Sequence, residues 1–375
     1  MEKISLLKKE KGCALYSVDG DSSLKRYIAS TTETRAVLNK PEIVGYEFRH
    51  KMANGTAKVL KALELDVDGQ HSNVIHFLRG GLNFGLMEAL HKAYGLNNHS
   101  ASFMSSERRK QDGKWRIKDD QYSKLTINAG STVFIGDIVA TGVTLEAGLA
   151  KIYEQVTANE LPDAVKEHVF HGIEDSQKRQ HIPLKGIAFF TIGCENIEKI
   201  LGKYDKLFKD AFPEYSGTHV VYLEGKFKLA SSSDNLRIKI DDTDLLRHPA
   251  VLAPEFELSQ YESVAYPLER CVVYDGGSRS FNAAKHLAEV KEYWEKLGDS
   301  GMTLEEALKE RWPEKGYESI DNLAAEKKDV WAGVNEGALG ALCNAYSRRW
   351  NDSFRKKASG KDSLRTFCGK RMERL

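Results

Sequence analysis

No stretch of this chain is apolar for anything near the roughly 20 residues that span a bilayer, and its opening Met-Glu-Lys-Ile-Ser has no apolar h-region. Neither a membrane span nor a secretory leader is expected. Cysteine is scarce: five residues in 375, at Cys13, Cys194, Cys271, Cys343 and Cys368, odd in number and never spaced Cys-x-x-Cys. That excludes a disulfide framework and a structural zinc site, and points to a reducing compartment, the cytoplasm. An excess of one charge is also missing, with 55 basic against 54 acidic residues and a formal charge of +1. Net charge therefore gives no reason to expect a dominant nucleic-acid or membrane partner. No internal repeat or low-complexity tract stands out. At 375 residues the chain can bury a sizeable core, as one large domain with additions or as two.

Residues 133–144 carry the densest chemistry: Val-Phe-Ile-Gly-Asp-Ile-Val-Ala-Thr-Gly-Val-Thr. An apolar run ends at Asp137, a turn of small and hydroxylated residues follows, and Leu145–Val156 reads as a helix. The order places a carboxylate and free backbone N–H groups at the carboxyl end of a buried strand, where open α/β sheets bind ligands. Such a turn can wrap a phosphate, and the helix N-terminus adds a favourable dipole. As a bare pattern it is also an ordinary strand–turn–helix corner.

A second strand–turn–helix lies upstream. Val74–Leu78 reads as a strand, Arg79-Gly80-Gly81 as a tight turn and Leu82–Tyr94 as an amphipathic helix. One basic residue and two glycines facing a helix N-terminus make a second anion site. Between the two, Met104–Lys124 is polar and charged, with Arg108, Arg109 and Lys110 in sequence. It reads as a mobile lid between two apolar strands, or as a solvated hairpin.

The 133–144 segment resembles the PRPP-binding motif of type I phosphoribosyltransferases, and Leu78–Gly81 resembles their pyrophosphate loop, nearest in pattern to the hypoxanthine–guanine branch. The resemblance covers roughly residues 43–225. It implies that Thr141, Gly142, Val143 and Thr144 hold the 5′-phosphate of PRPP, that Ala140 also lies in the PRPP site, and that Asp137 holds ribose hydroxyls. It implies that Leu78, Arg79, Gly80 and Gly81 receive pyrophosphate, with a cis peptide at Leu78–Arg79. Arg108, Arg109 and Lys110 are then the flexible-loop candidates, and Asp137 and Arg79 the residues that carry catalysis. Mg²⁺ is expected, held mostly by substrate oxygens rather than by protein side chains. Two departures stand out: Gly136 replaces the first of the family's two acidic residues, and Ala140 stands where the purine-type enzymes have Asp. Purine-type members also read the base with a Lys that Phe190–Cys194 does not supply.

Along the chain, residues 1–40 form a small extension in which Cys13–Val18 reads as a strand and Arg26–Val37 is mixed. Pro41 marks a boundary before a helix at Tyr46–Leu63. A phosphoribosyltransferase-like core is expected over 41–230, a hood or linker over 231–281, and a helical region over 282–375. In the core, alternating strands and helices predict α/β architecture, a mostly parallel sheet flanked by helices, with a helical C-terminal extension. Further strands are expected at 99–104, Gly186–Ile192, His219–Leu223, Leu236–Ile240 and Arg270–Tyr274. Cys194, Asn196 and Glu224 are candidates to approach a base, with a structural role as the alternative for each.

Three carboxylates in Asp241-Asp242-Thr243-Asp244 could hold a cation, or cap a turn. The turn at 275–280, Asp-Gly-Gly-Ser-Arg-Ser, precedes a helix at Asn282–Leu297. Thr303–Glu306 reads as a capping box, and Glu326–Tyr346 as a glycine-interrupted helix. The tail from Arg348 holds ten Lys/Arg against three Asp/Glu, which suits an acidic partner or a solvated helix face. The resulting expectation is a PRPP-dependent pentosyltransferase acting on a small acceptor, with a homodimer admitted. The alternatives left open are a non-catalytic PRPP or nucleotide sensor of the same fold, and a nucleotide-processing hydrolase.

Overall fold

The computed structural model describes residues 2–78, 80–111, 114–158, 181–241, 243–273, 282–312, 320–350 and 360–375. The sheet is built from β1 (Ile4–Glu10), β2 (Cys13–Val18), β3 (Lys25–Thr31), β4 (Ser72–Leu78), β5 (Ser100–Gln111), β6 (Lys114–Lys124), β7 (Ser131–Val139), β8 (Leu184–Cys194), β9 (Thr218–Leu229) and β10 (Leu245–Leu252). Its order is β1-β2-β3-β9-β8-β7-β4-β5-β6, with β10 paired to β9. The central run from β3 to β5 is parallel throughout, whereas β1–β2, β2–β3, β5–β6 and β9–β10 pair antiparallel. The architecture is α/β with a mostly parallel mixed sheet, as predicted. β8, Leu-Lys-Gly-Ile-Ala-Phe-Phe-Thr-Ile-Gly-Cys, is buried at all but one position, the near-continuous apolar run of a strand covered on both faces.

Helices α1 (Thr32–Asn39) and α2 (Gly45–Leu63) carry the chain from β3 to β4, and α3 (Leu86–Tyr94) leads to β5. α4 (Val143–Thr157) joins β7 towards β8, and α5 (Asn196–Ala211) joins β8 to β9. α2 and α3 pack on one face of the sheet and α4 with α5 on the other, as right-handed crossovers in opposite directions require. α5 buries Ile197, Leu201, Tyr204 and Phe208, one stripe at helical spacing.

The helix expected over Leu82–Tyr94 is split. Gly80–Phe84 forms a short 3₁₀ turn, and Gly85, at φ +57°, separates it from α3. A Cβ at Gly85 would lie 2.6 Å from the Ala53 side chain of α2, so the close approach of α2 sets the break. Of the two readings of 104–124, lid or hairpin, the structure has the β-hairpin: β5 runs on to Gln111 and pairs antiparallel with β6. Leu236–Ile240 and the described part of Arg270–Tyr274 are not strands; the strand in this region is β10. The 1–40 segment adds three strands to the sheet, with β3 lying parallel beside β9.

Beyond β10 come α6 (Pro254–Ser259), α7 (Ala265–Leu268), α8 (Ala283–Gly298), α9 (Leu304–Arg311), α10 (Ile320–Val330), α11 (Glu336–Trp350) and α12 (Lys361–Met372). The expected Glu326–Tyr346 helix is thus two, parted where Gly333 bridges to Ser5 of β1. The predicted Thr303–Glu306 capping box is present. This region packs on the N-terminal strands and α1: Arg247 donates to the Leu38 carbonyl at 2.6 Å, Asn39 to Ser259 at 2.8 Å, and Arg371 pairs with Glu42 at 2.8 Å. Buried Glu269 accepts from Arg371 and from Trp294 Nε1, and Phe367 packs on the Trp294 ring. Two of the tail's residues are therefore spent on packing. In the acidic cluster, Asp241 and Asp244 pair with Arg270, so an arginine occupies the place a cation would take; Asp242 and the 275–280 turn lie outside the described residues.

Candidate functional site

Taken as a unit, β4, β5, β7, β8 and β9 run in spatial order β5-β4-β7-β8-β9. The chain leaves β4 through α3 towards one edge of the sheet and leaves β7 through α4 towards the other. A topological switch point therefore falls between the carboxyl ends of β4 and β7, where connections diverge and leave a crevice open to ligand. Both turns singled out in the sequence sit there, on adjacent parallel strands joined in register from Ser72–Thr132 to His76–Gly136.

On the β7 side, Asp137 lies within the strand, two residues before its end at Val139, and opposite Thr191 of β8. Its Oδ1 accepts from the Ile138 N–H at 2.9 Å, and the residue is mostly buried. Ala140 and Thr141 form the bend, and Gly142, at φ +82°, occupies the N-cap of α4. This left-handed backbone favours glycine, and Ile200 of α5 fills the space its side chain would need. No side chain caps this N-terminus, and the first intrahelical bond runs from Glu146 N–H to the Gly142 carbonyl. The N–H groups of Val143, Thr144 and Leu145 thus have no intrahelical acceptor. Thr141 Oγ1 is buried and has no hydrogen-bond partner among the described residues. A hydroxyl the fold leaves unsatisfied, beside open N–H groups and a helix dipole, suits an anionic oxygen. The one acidic side chain in the first turn of α4, Glu146, is neutralised by Lys203 of α5 at 2.9 Å.

On the β4 side, Leu78 ends the strand and Gly80 opens the 3₁₀ turn, while Arg79, and with it the Leu78–Arg79 peptide, lies outside the described residues. Gly81 folds back onto the sheet: a Cβ there would lie 3.0 Å from the Gly136 carbonyl and 3.2 Å from His76 Cα. His76 is buried and stacks on Phe103 with centroids 5.0 Å apart. Burial lowers its pKa, against the effect of a hydrogen bond to the Gly81 backbone, so the ring is a neutral prop beneath this loop.

Gly136 has a partner that the sequence did not reveal. A Cβ at Gly136 would stand 2.7–2.9 Å from Cγ, Cβ and Cδ2 of Phe84, whose ring is fully buried. The space a side chain at 136 would need is filled by an aromatic ring from the turn after β4. Because neighbouring strand residues point to opposite faces, Asp137 projects to the α4/α5 side and is unaffected.

The hairpin strands run on past the last β4–β5 pair, Leu78–Ser105, beyond the carboxyl end of β4. Arg109 and Lys110 are exposed there, and the Arg108 side chain lies outside the described residues. Arg109 stands opposite Arg116 across the hairpin. The remaining candidates turn inward. Cys194 is fully buried, and both its thiol, at 3.2 Å, and the Asn196 amide, at 3.4 Å, donate to the Ala140 carbonyl. Glu224 is buried beneath α1, accepting from the Thr31 N–H and from the Ser30 and Thr34 hydroxyls. Cys194 and Asn196 thus hold the backbone of the β7–α4 turn, and Glu224 the β3–α1 corner. Thr191, also buried with an unpartnered hydroxyl, went unnoticed in the sequence, since only the β7–β8 register places it beside Asp137.

Among the described residues no group of three His, Cys, Asp or Glu side chains could hold a metal ion, and no helix is long and apolar enough to cross a membrane.

No protein-family model matches the chain, and no curated protein sequence does. Among solved structures it is similar to a purine phosphoribosyltransferase from Pyrococcus horikoshii Ot3, at 14% identity and TM-score 0.21, over 48% of this chain and 85% of that one. It is also similar to a mutant of the hypoxanthine phosphoribosyltransferase from Trypanosoma cruzi in its ternary substrates complex, at 13% identity and TM-score 0.21, over 60% and 92% of the two chains. At that score neither likeness bears on function.

Proposed function

We propose that this chain is a phosphoribosyltransferase-like enzyme that takes PRPP and a small acceptor and releases pyrophosphate. The observation that carries the reading is the placement of two anion-suited turns on adjacent strands at the switch point, matching a sugar phosphorylated at both ends. The Thr141 hydroxyl and the N–H groups of Val143, Thr144 and Leu145 would bind the 5′-phosphate, and Asp137 the ribose hydroxyls. The Arg79–Gly81 loop, propped by His76, would receive the pyrophosphate. Bond breaking at the anomeric carbon builds positive charge on the sugar and negative charge on the leaving group. The protein's share is then to align donor and acceptor and to stabilise that separation. On this reading Asp137 would present its carboxylate to the sugar, and Arg109 and Lys110 of the hairpin would shield the leaving group from water.

Mg²⁺ fits this donor set as a substrate-borne ion held mostly by phosphate oxygens and water, and when bound it would neutralise charge on pyrophosphate. The acceptor differs from hypoxanthine or guanine on this reading, since Phe190–Cys194 carries no Lys and position 140 no carboxylate. The test is PRPP-dependent pyrophosphate release with a panel of nucleobases and other small acceptors, products being read by mass spectrometry. Saturable PRPP binding with no turnover on any acceptor would replace this reading by a second one, a non-catalytic PRPP sensor. The ring of Phe84 over Gly136, which leaves one carboxylate where the family has two, favours that second reading.

A further inference from the structure

The turn between β7 and α4 is gripped on one side by the corner where β8 enters α5. Gly193 lies against β7 so closely that a Cβ there would be 3.0 Å from the Val139 carbonyl. One residue on, the Cys194 thiol and the Asn196 amide both donate to the Ala140 carbonyl. Four residues beyond Asn196, Ile200 of α5 packs against Gly142. The same corner thus touches three of the four residues from 139 to 142.

We propose that Cys194 and Asn196 are positioning residues that hold the Ala140 carbonyl against the β8–α5 corner and thereby aim the Thr141 N–H at a phosphate monoester. This rests on the phosphate-binding reading of the turn. Across a trans peptide the carbonyl and the following N–H point in opposite directions. β8 lies on one side of β7 and β4 on the other. With its carbonyl turned to β8, the 140–141 peptide must send its N–H towards β4, into the switch-point crevice and to the side where the Val143–Leu145 N–H groups stand open. A carbonyl released from this grip could rotate its oxygen into the cradle, replacing a donor by an acceptor that repels phosphate. Two donors on one carbonyl act against that rotation. Burial raises the Cys194 pKa, so the sulfur keeps the proton it must donate at neutral pH.

The chain contains a single Ala-Thr dipeptide, Ala140–Thr141. Protein labelled with carbonyl-¹³C alanine and ¹⁵N threonine therefore gives one carbonyl–amide cross-peak, from this peptide alone. In the parent its carbonyl should resonate downfield, as a doubly hydrogen-bonded carbonyl does, and its amide should move on titration with ribose 5-phosphate. Asn196→Ala combined with Cys194→Ala should shift the carbonyl upfield in the free protein and weaken ribose 5-phosphate binding roughly tenfold, the scale of one hydrogen bond to a charged group. Pyrophosphate binding should stay near that of the parent. Cys194→Ser, which keeps a donor, should restore part of the carbonyl shift, and the single Asn196→Ala serves if the double variant fails to fold. A carbonyl resonance identical in parent and variants would overturn the grip. A parent amide that ribose 5-phosphate leaves unmoved would instead overturn the phosphate-binding reading, and with it the aim assigned to Thr141.

Discussion

Glu224 offers a prediction whose size follows from its surroundings. It sits where β9 changes partners, with Leu223 paired to β3 and Gly225 to β10, and its backbone is left-handed at φ +67°. Its carboxylate is wholly buried, and burial lifts its pKa from the ordinary 4.5 to about 7, against the opposing pull of Arg35 and of hydrogen bonds from Ser30, Thr34 and the Thr31 N–H. From β2, Cys13 and Tyr16 also feel its charge. Because the folded pKa is the higher one, the folded chain holds a proton that the unfolded chain has already released between pH 4.5 and 7. Stability must therefore fall as pH rises through that window, by about 3 kcal/mol in all. Glu224→Gln keeps the shape and an accepting oxygen but removes the titration. Urea unfolding of parent and variant at intervals from pH 5 to pH 8 isolates the effect, since every other group titrates alike in both. The variant should lose about 2–3 kcal/mol less than the parent between those limits. Two curves running parallel within about 0.5 kcal/mol, the usual scatter of a neutral change, would refute the reasoning.

Three further outcomes are expected. Asp137→Asn should lower kcat/KM for PRPP by about 10²–10³, the scale of one lost preorganised electrostatic partner, with an unaltered circular dichroism spectrum; an undiminished kcat/KM would remove Asp137 from the site. Gly142→Ala should cost about 1–2 kcal/mol for the left-handed backbone, with an added penalty as Ile200 is displaced, and should abolish saturable binding of ribose 5-phosphate in calorimetry. Glu269→Ala takes one carboxylate from buried Arg371, leaving Glu42, and the acceptor from Trp294 Nε1, and should cost about 2–4 kcal/mol in urea unfolding, while ribose 5-phosphate affinity at 10 °C stays at the parent value.

How far the fold could be read in advance depended on what hides a strand. β4, β7 and β8 were legible because a strand buried on both faces is an apolar run, and little else in a polar chain looks like one. β10 was not, because Leu245–Leu252 contains Arg247, His248 and Pro249. Arg247 is buried all the same, its two terminal guanidinium nitrogens donating to the carbonyls of Leu38, Glu269 and Cys271 while Nε finds no acceptor among the described residues, and those acceptors come from two distant segments. Leu236–Ile240 erred the other way: alternation suits a strand, but no strand pairs with it. The 104–124 segment left lid and solvated hairpin both open, because a ribbon rich in charge at the sheet edge has no buried face to mark it.

The site divides in the same manner. The Ala140–Thr144 turn was readable because its chemistry is local: small residues, one glycine at positive φ and a helix start are contiguous. The roles of Cys194, Asn196 and Phe84 depend on which strands neighbour which, and register is not written in any single segment. Gly136 shows the consequence. In the sequence it is a missing carboxylate that one substitution would restore. In the fold, Gly136→Asp would drive Cβ into the Phe84 ring and place a charge beside a fully buried aromatic, a combination of overpacking and desolvation. Gly136 and Phe84 therefore form one unit, fixed by the packing of the two turns against each other.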